Sequence, residues 1–575
     1  MLKMHRFLDD PEIYRQLVPS VSANGMSSTK IPDRHIDTLL ASGDFEEIHR
    51  DEVKGHCNLF PVHEHFKLRD RLIKHAITVN DATGRETLLG IKFPTKHDVT
   101  NLVNKGTHFA SFDFAAWFDQ LGLKNGVSDY FCFRKAKRYF RSTRLAMGVR
   151  QGPDIAQATS LFLVDFPGRR CIVYVYIDNV IFVGSKEDVI ADSEEFLRRC
   201  KLANATVNES AVIAEKGLEH FVQQQGEWCG IHLDFVNKTV KLAEKTLVKT
   251  DISWANRANW THRQFAAHVG LLFWSWGIID VPVANYYSLL KFISETSRKL
   301  QQDESLWDEP IEVFPSAWPA IEAWTKLCTV NAPRTIYVAA PLTWFICTDA
   351  SAWGYGYRAF NYKTGEIRSH GQQWSRQQRH RFDSLGKDLM LHSVYAEPLA
   401  IYLSLVHLLV KDPSVNYRFI RPDHDDAVEE NSYVKMPFGT SNVDEFGDSL
   451  RQAIAVATDN SSACCTMSRG FASRSFEINY AIKLLREQFP QDKFDIDFCF
   501  VPGKQNPADK PSRGINDNAE SGQQASDFNN LRRLAGIYSS TGILPRFEQS
   551  ALIQDISTST EKSIFSAVSE DHCSK

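Results

Sequence analysis

Two aspartates stand where an apolar strand gives out. The run His108-Phe109-Ala110-Ser111-Phe112 leads into Asp113, and Asp178 lies in the turn between Val173-Tyr174-Val175-Tyr176 and Val180-Ile181-Phe182-Val183. They are 178 − 113 = 65 residues apart, which leaves room for a helix and a hairpin, so the two strands can be neighbours in one sheet. Carboxylates at adjacent strand ends can hold two divalent cations about 3.5–4 Å apart, a pair that activates an attacking hydroxyl and stabilises the leaving oxygen in phosphoryl transfer. The plainer alternative is that Asp178-Asn179 simply makes a hairpin turn, for which the pair is well suited. A second set of acids lies further on. Asp349 follows an apolar strand in Thr348-Asp349-Ala350-Ser351, Glu397 opens an apolar helix-like stretch, Asp459 ends Ile454-Ala455-Val456-Ala457-Thr458, and Asp509 closes Asn506-Pro507-Ala508-Asp509. Taken singly, each could be an N-cap or a turn residue.

The chain that must position these groups has 575 residues, 43% hydrophobic and 24% charged, with 66 Lys+Arg against 70 Asp+Glu and a net charge of -4. That length predicts several domains with large cores, and the composition excludes a mostly disordered or fibrous protein. A near-neutral balance excludes a simple polybasic arm, so any nucleic-acid contact needs locally concentrated positive charge. One such place is 130–150, where Arg134, Lys135, Lys137, Arg138, Arg141, Arg144 and Arg150 occur without any acid and with Tyr130, Phe131, Phe133, Tyr139 and Phe140 interleaved. Basic groups there can take phosphates while the rings anchor a hairpin or stack on bases; a solvated charged face is the alternative. Lys67, Arg69, Arg71 and Lys74 form a second basic cluster.

The 11 cysteines are scattered with no C-x-x-C pair, which favours a reducing compartment. Residues 1–10 carry no apolar h-region. The most apolar stretch, 269–279, is shorter than the roughly 20 residues that span a bilayer. These features predict a soluble intracellular protein, cytoplasmic and/or nuclear, with no membrane partner. Residues 1–50 have no strong period and read as an extension. The region 260–300 is helical in pattern, and prolines 310, 315, 319 and 333 make 302–340 the best linker. A second α/β region runs from about 341 to 515, with an acidic insertion over 422–447 and a Ser/Thr-rich tail after 516.

Between Asp113 and Asp178 lies Leu145-Ala146-Met147-Gly148-Val149-Arg150-Gln151-Gly152-Pro153. With it, the segment resembles a retroelement reverse transcriptase. Asp113-Phe114-Ala115-Ala116-Trp117-Phe118 resembles motif A of that family, Leu145 to Pro153 motif B, Tyr176-Ile177-Asp178-Asn179 the Tyr-x-Asp-Asp box, and Glu227 to Ile231 the primer-grip hairpin. The later acids, with Pro502-Gly503-Lys504-Gln505-Asn506-Pro507-Ala508-Asp509 and Ser512-Arg513, resemble retroelement ribonuclease H. The Asn-Pro-Ala-Asp ending is similar to LTR and DIRS-type elements, including the tyrosine-recombinase retroelements.

The resemblance implies an α/β and α+β multidomain protein. A right-hand polymerase would occupy 51–235 (fingers and palm) and 236–301 (thumb-like). A linker or connection over 302–340 and a ribonuclease H-like α/β domain over 341–515 would follow. It implies an RNA-directed DNA polymerase that also cleaves RNA–DNA hybrids, with an RNA template, a DNA primer and dNTPs as partners. Two Mg2+ would sit at each site, with Mn2+ able to substitute. Asp113 and Asp178 would be metal ligands with the Phe114 carbonyl, and Asn179 would stand beside them in place of the family's second Asp, one negative charge short. Phe118 would be a steric gate against the 2′-hydroxyl. Met147 and Gly148 would approach the templating base pair, Gly148 because it lacks a side chain. Arg71 and Lys67 would hold the triphosphate. Asp349, Glu397, Asp459 and Asp509 would be the catalytic, metal-binding quartet of the ribonuclease H. Lys504 occupies the loop where many ribonucleases H carry a mobile His. The alternative is a domesticated scaffold that binds nucleic acid without polymerase activity.

Overall fold

The structure is a computed structural model that describes residues 2–19, 21–64, 69–83, 91–376, 378–379, 393–410, 451–473, 475–515 and 527–535. It is a mixed α/β assembly of several sheets. The stretch 1–50, which shows no strong period in the sequence, carries regular elements. Helices Leu2–Asp9, Pro11–Leu17 and Asp33–Ala41 are followed by a strand, β1 (Phe45–Ile48). Next come a two-stranded ribbon, β2 (Asn58–Glu64) with β3 (Arg69–His75), and then β4 (His108–Asp113). The basic region 130–150 does contain a hairpin, β5 (Cys132–Lys135) and β6 (Arg138–Ser142), and β1 pairs antiparallel with β6.

That pairing answers the charge question differently from the expectation. Arg141 pairs with Glu46 and Asp129, both at 2.7 Å, and Arg138 with Glu47 at 2.7 Å. Arg144 reaches Asp44 at 3.2 Å and Lys135 lies 3.8 Å from Asp33. The rings of Phe133 and Phe140 stack at 5.3 Å inside a small core with Phe45. Most of the hairpin's cations are therefore engaged by the N-terminal segment, and its phenylalanines are packing groups and not surfaces for bases. Lys74, of the second cluster, is buried against Asp119 at 3.0 Å. Lys67 lies outside the described residues, and Arg71 is placed only as a position in β3.

The β-rich run 171–184 forms the expected hairpin, β7 (Ile172–Tyr176) and β8 (Asn179–Gly184), and β4 pairs antiparallel with β8 so that Asp113 faces Asn179. Val and Ile suit these half-buried strands. Helices Gly152–Val164 and Lys186–Leu202 accompany the sheet, the second capped by the Ser185 hydroxyl on the Asp188 N–H. Phe112, Phe182 and Phe196 meet beneath it with ring centroids 5.4–6.0 Å apart.

A small sheet of β9 (Gln225–Trp228), β10 (Ile231–Asp234), β11 (Thr239–Leu242) and β12 (Arg334–Thr335) comes next. The two-residue turn Cys229-Gly230 has φ of 47° and 80°, the positive-φ pair that a tight hairpin with right-twisted strands requires. Helices His262–Trp276 and Tyr287–Gln302 bear out the periodic pattern of 260–300. The proline-marked stretch is no simple linker. Pro319 stands in the first turn of a helix, Trp318–Val330, where its missing N–H costs nothing. Trp324 of that helix is fully buried and donates to the Ser275 hydroxyl at 3.1 Å.

His268 sits in the same core, with both ring nitrogens 3.1 Å from hydroxyls of Ser253 and Thr325. Burial lowers its pKa to about 4 from 6.5. Its unfolded form therefore binds a proton that the folded form refuses. The neutral site stabilises fully above about pH 6.5, and stability declines as pH falls from there toward 4, by up to about 3 kcal/mol. Urea unfolding of wild type and His268→Gln between pH 4 and 8 checks this, with the variant expected to lack that part of the slope.

The last sheet has five strands, β13 (Leu342–Ala350), β14 (Gly354–Asn361), β15 (Ile367–Gln373), β16 (Gln452–Thr458) and β17 (Phe494–Phe500), in the order β15-β14-β13-β16-β17. Strands β15, β14 and β13 are antiparallel, while β13, β16 and β17 are parallel. Helices Ser393–Leu409, Ser461–Arg469 and Phe476–Gln488 complete this region. One continuous apolar core joins it to the preceding helices, with Trp276 against Phe471 at 5.2 Å and Arg486 donating to the Val281 carbonyl. The acidic stretch 422–447 and the tail from 536 lie outside the described residues. No described helix is long and apolar enough to cross a membrane.

Candidate active sites

The first constellation forms at the tip of the β7–β8 hairpin. Ile177 takes φ of 57°, a conformation that costs a β-branched residue on the order of 1–3 kcal/mol. The helix Gly152–Val164 holds it there. Gln157 Oε1 accepts from the Ile177 N–H at 2.6 Å, Ser160 Oγ donates to the Ile177 carbonyl at 2.6 Å, and Gln157 Nε2 donates to the Val175 carbonyl at 2.8 Å. The hairpin tip is thus fixed to a buried glutamine. Gln157→Ala would leave the Ile177 N–H and Val175 carbonyl without these partners and is expected to destabilise the chain by about 1–3 kcal/mol in urea unfolding.

Asp113 and Asp178 are brought to the same end of the sheet, with the Phe114 N–H donating to the Asp178 carbonyl at 2.9 Å. Both are half-buried. Asn179 turns its nitrogen toward its neighbour, Nδ2 donating to Asp178 Oδ1 at 3.0 Å. The Cys229-Gly230 tip comes close as well. Burial pushes the Cys229 thiol up to about 12, and the charges of Asp178 and Asp113 add to the rise against Lys245. The Phe114 ring is buried and stacked on Trp117 at 4.0 Å. Phe118 is half-buried against the same core, and a Cβ on Gly152 would stand 3.2 Å from its ring. Met147 is half-buried in the loop before that helix. Gly148 has an intramolecular reason to lack a side chain. A Cβ there would meet the Lys74 carbonyl at 3.0 Å and the His75 Cα at 3.1 Å. Asn80 fastens this loop, donating to the Gly148 carbonyl at 2.7 Å and accepting from the Arg150 N–H at 2.9 Å.

The second constellation is tighter. Asp349 near the end of β13, Glu397 on the helix Ser393–Leu409 and Asp459 just past β16 each present a carboxylate oxygen within 4.8 Å of the others, the only such group of three among the described residues. Parallel pairing of β13 with β16 puts two of the acids at neighbouring strand ends. Asp349 is 7% and Glu397 3% exposed. The Ser512 hydroxyl donates to Asp349 Oδ2 at 2.5 Å, Thr458 Oγ1 to Glu397 Oε2 at 3.3 Å, and the Ala350 N–H to Glu397 Oε1 at 3.3 Å. Asn506 ties the closing motif to the Thr348 carbonyl at 2.9 Å. A Cβ on Gly503 would stand 3.0 Å from Asp459 Oδ2, so glycine lets that loop lie against the acid without displacing it. Asp509 is at the rim and half-buried, paired with Arg513 at 2.7 Å.

Crowding shows in the acidities. Burial, and then the charges of Asp459 and Asp509, push Asp349 to about 6 despite the Ser512 hydrogen bond. Glu397 rises well above the ordinary range through burial and the charges of Asp349 and Asp459, and Asp459 rises mainly through burial.

Three solved structures resemble this chain at low similarity. All are of foamy viral protease-reverse transcriptase. A dRH form with double-stranded DNA is 13% identical, covers 84% of this chain and 73% of that one, and has a TM-score of 0.42. A complex with double-stranded DNA is 12% identical over 87% and 93%, and one with an RNA/DNA hybrid is 13% identical over 91% and 79%; both have a TM-score of 0.41. No family model and no curated protein matches the chain.

The donor set at the triad fits a hard divalent cation. Three clustered carboxylates offer only oxygen, and their mutual repulsion in a desolvated place is relieved when a cation sits between them, as Mg2+ or Mn2+ does. Of the predicted site residues, the structure therefore unites Asp349, Glu397 and Asp459, sets Asp509 at their rim, and brings Asp113, Asp178 and Asn179 together elsewhere. The groups that hold these acids were not singled out as site residues from the sequence. Ser512 and Asn506 lie in a quoted motif without a role, whereas Gln157, Ser160 and Asn80 are lone polar residues whose spacing carries no signal.

Proposed function

We propose that this chain is an RNA-directed DNA polymerase that also cleaves the RNA strand of RNA–DNA hybrids, each activity using its own acidic site. The observation that carries the reading is the buried triad of Asp349, Glu397 and Asp459, three acids held by Ser512 and Thr458 in a crowding that a bound divalent cation would relieve. When bound, a pair of divalent cations supplies the electrophilic activation that phosphodiester chemistry needs. Asp349, Glu397, Asp459 and the rim acid Asp509 would hold it at the cleavage site, and Asp113 and Asp178 at the polymerising site, with dNTPs, an RNA template and a DNA primer as partners. Phe118 would discriminate against ribonucleotides; Phe118→Ala is expected to raise ribonucleotide incorporation about tenfold or more relative to deoxynucleotides in single-nucleotide extension.

Purified full-length chain is tested with Mg2+ on poly(rA)/oligo(dT) and on a hybrid with 5′-labelled RNA. Extension and cleavage are both expected. A folded chain that binds the hybrid and does neither overturns the reading. One observation favours a second reading, a binding scaffold without polymerase activity. Asn179 donates to Asp178 where a second carboxylate would repel it, an arrangement that needs no cation. Cleavage without extension would select it.

A further inference from the structure

Asp113 is gripped from the side of β4 opposite β8. The segment Thr206–Glu209 runs beside the end of β4 like one more short strand. The Ala115 N–H donates to the Thr206 carbonyl at 3.0 Å, Phe114 bridges antiparallel to Val207, and Val207 is buried. Its last two residues then take hold of three polar functions of one residue. The Asn208 N–H donates to the Asp113 carbonyl at 2.8 Å, Asn208 Nδ2 donates to Asp113 Oδ2 at 2.8 Å, and the Asp113 N–H donates to Glu209 Oε2 at 3.1 Å. Gln120 anchors the segment in turn, accepting from the Thr206 N–H at 2.7 Å.

A carboxylate at a strand end otherwise rotates among staggered positions and pays ordering entropy when it captures a cation. Hydrogen bonds from a neighbouring amide remove that freedom in advance, which is how outer-shell partners raise metal affinity. We propose that Asn208 and Glu209 are positioning residues that clamp Asp113, backbone and side chain together, in the orientation that presents its carboxylate to a divalent cation. The inference rests on the polymerase reading of the Asp113–Asp178 pair and adds to it the element that orients the first of those acids.

Mn2+ binding followed by electron paramagnetic resonance tests the clamp, using the full-length chain with Asp349→Asn and Asp459→Asn so that the triad does not contribute. Asn208→Ala and Glu209→Ala are expected to weaken Mn2+ binding about tenfold. Glu209→Gln keeps an acceptor for the Asp113 N–H and is expected to lose about threefold. In the otherwise wild-type chain the Mg2+ half-saturation of primer extension should rise in the same order, with the KM for primer–template unmoved, and circular dichroism reports that each variant is folded. Folded Asn208→Ala and Glu209→Ala chains that bind Mn2+ like their parent overturn the clamp and leave the polymerase reading standing. A Glu209→Gln loss as large as that of Glu209→Ala also overturns it, because charge and not the hydrogen bond would then be what matters. A parent that binds no more Mn2+ than its Asp113→Asn derivative defeats the polymerase reading and the clamp with it.

Discussion

Asp349→Asn is expected to lower hybrid cleavage by at least about a hundredfold, leave primer extension in place, and make the metal-free chain more stable. The loss follows from geometry. Asp349 is buried within 4.8 Å of Glu397 and Asp459, so at a cation site it would contribute both charge and an oxygen ligand that a neutral amide replaces only in part. The gain in stability follows from the acidity. The folded carboxyl titrates near 6, above its ordinary 3.8, so over that interval the folded chain binds the proton more readily than the unfolded chain does. Stability therefore falls as pH rises through the interval, and the full penalty of the charged group is present above about pH 6. Removing the charge should return on the order of 1–3 kcal/mol at pH 7.5. Thermal melts in EDTA and in Mg2+ separate the terms. Wild type should gain from Mg2+ and the variant should not, while the variant melts higher in EDTA. An Asp349→Asn chain that cleaves normally, or that melts lower in EDTA, would remove Asp349 from a cation-binding cluster.

The acids were legible because of where they stand in the hydrophobic pattern. Asp113, Asp349 and Asp459 each come at or next to the end of an apolar strand run, and a charged residue there belongs at the sheet's edge. The N-terminal fold was not legible, because its short helices and β1 are held by partners far along the chain. Glu46 and Glu47 meet Arg141 and Arg138 more than ninety residues away, and nothing local to 1–50 announces that pairing. The stretch 302–340 misled for a different reason. Proline reads as a breaker, yet Pro319 is at a helix start, where φ near −65° is already what the helix wants. The supporting groups escape pattern reading altogether. Ser512 reaches Asp349 across 163 residues and Asn80 reaches Gly148 across 68, each through one polar atom. Gly148 was expected to approach a base pair, and the close approach it permits within the chain is to the backbone of β3.

Asn179→Asp is expected to shift the Mg2+ activation curve of primer extension to lower metal concentration and to leave hybrid cleavage unchanged. In the present arrangement the Asn179 amide donates to Asp178 Oδ1 at 3.0 Å, which occupies one oxygen of the acid that would hold the cation and adds no charge. Aspartate reverses both effects. It cannot donate, so that contact with Asp178 is released, and it adds a negative charge opposite Asp113 in the β4–β8 register. At about 4 Å, two like charges at a half-exposed surface repel by roughly 1–4 kcal/mol before screening, so the metal-free Asp form should melt below wild type. A divalent cation between them turns that repulsion into attraction, so Mg2+ should stabilise the Asp form more than it stabilises wild type. The coupling makes the outcome diagnostic: lower stability in EDTA, a larger Mg2+ increment and a lower Mg2+ half-saturation must appear together. Asn and Asp forms with the same half-saturation would place residue 179 beyond the cation's reach. If neither form extends a primer while both fold and cleave hybrid, the Asn179 amide marks a site that has exchanged catalysis for a static hydrogen bond.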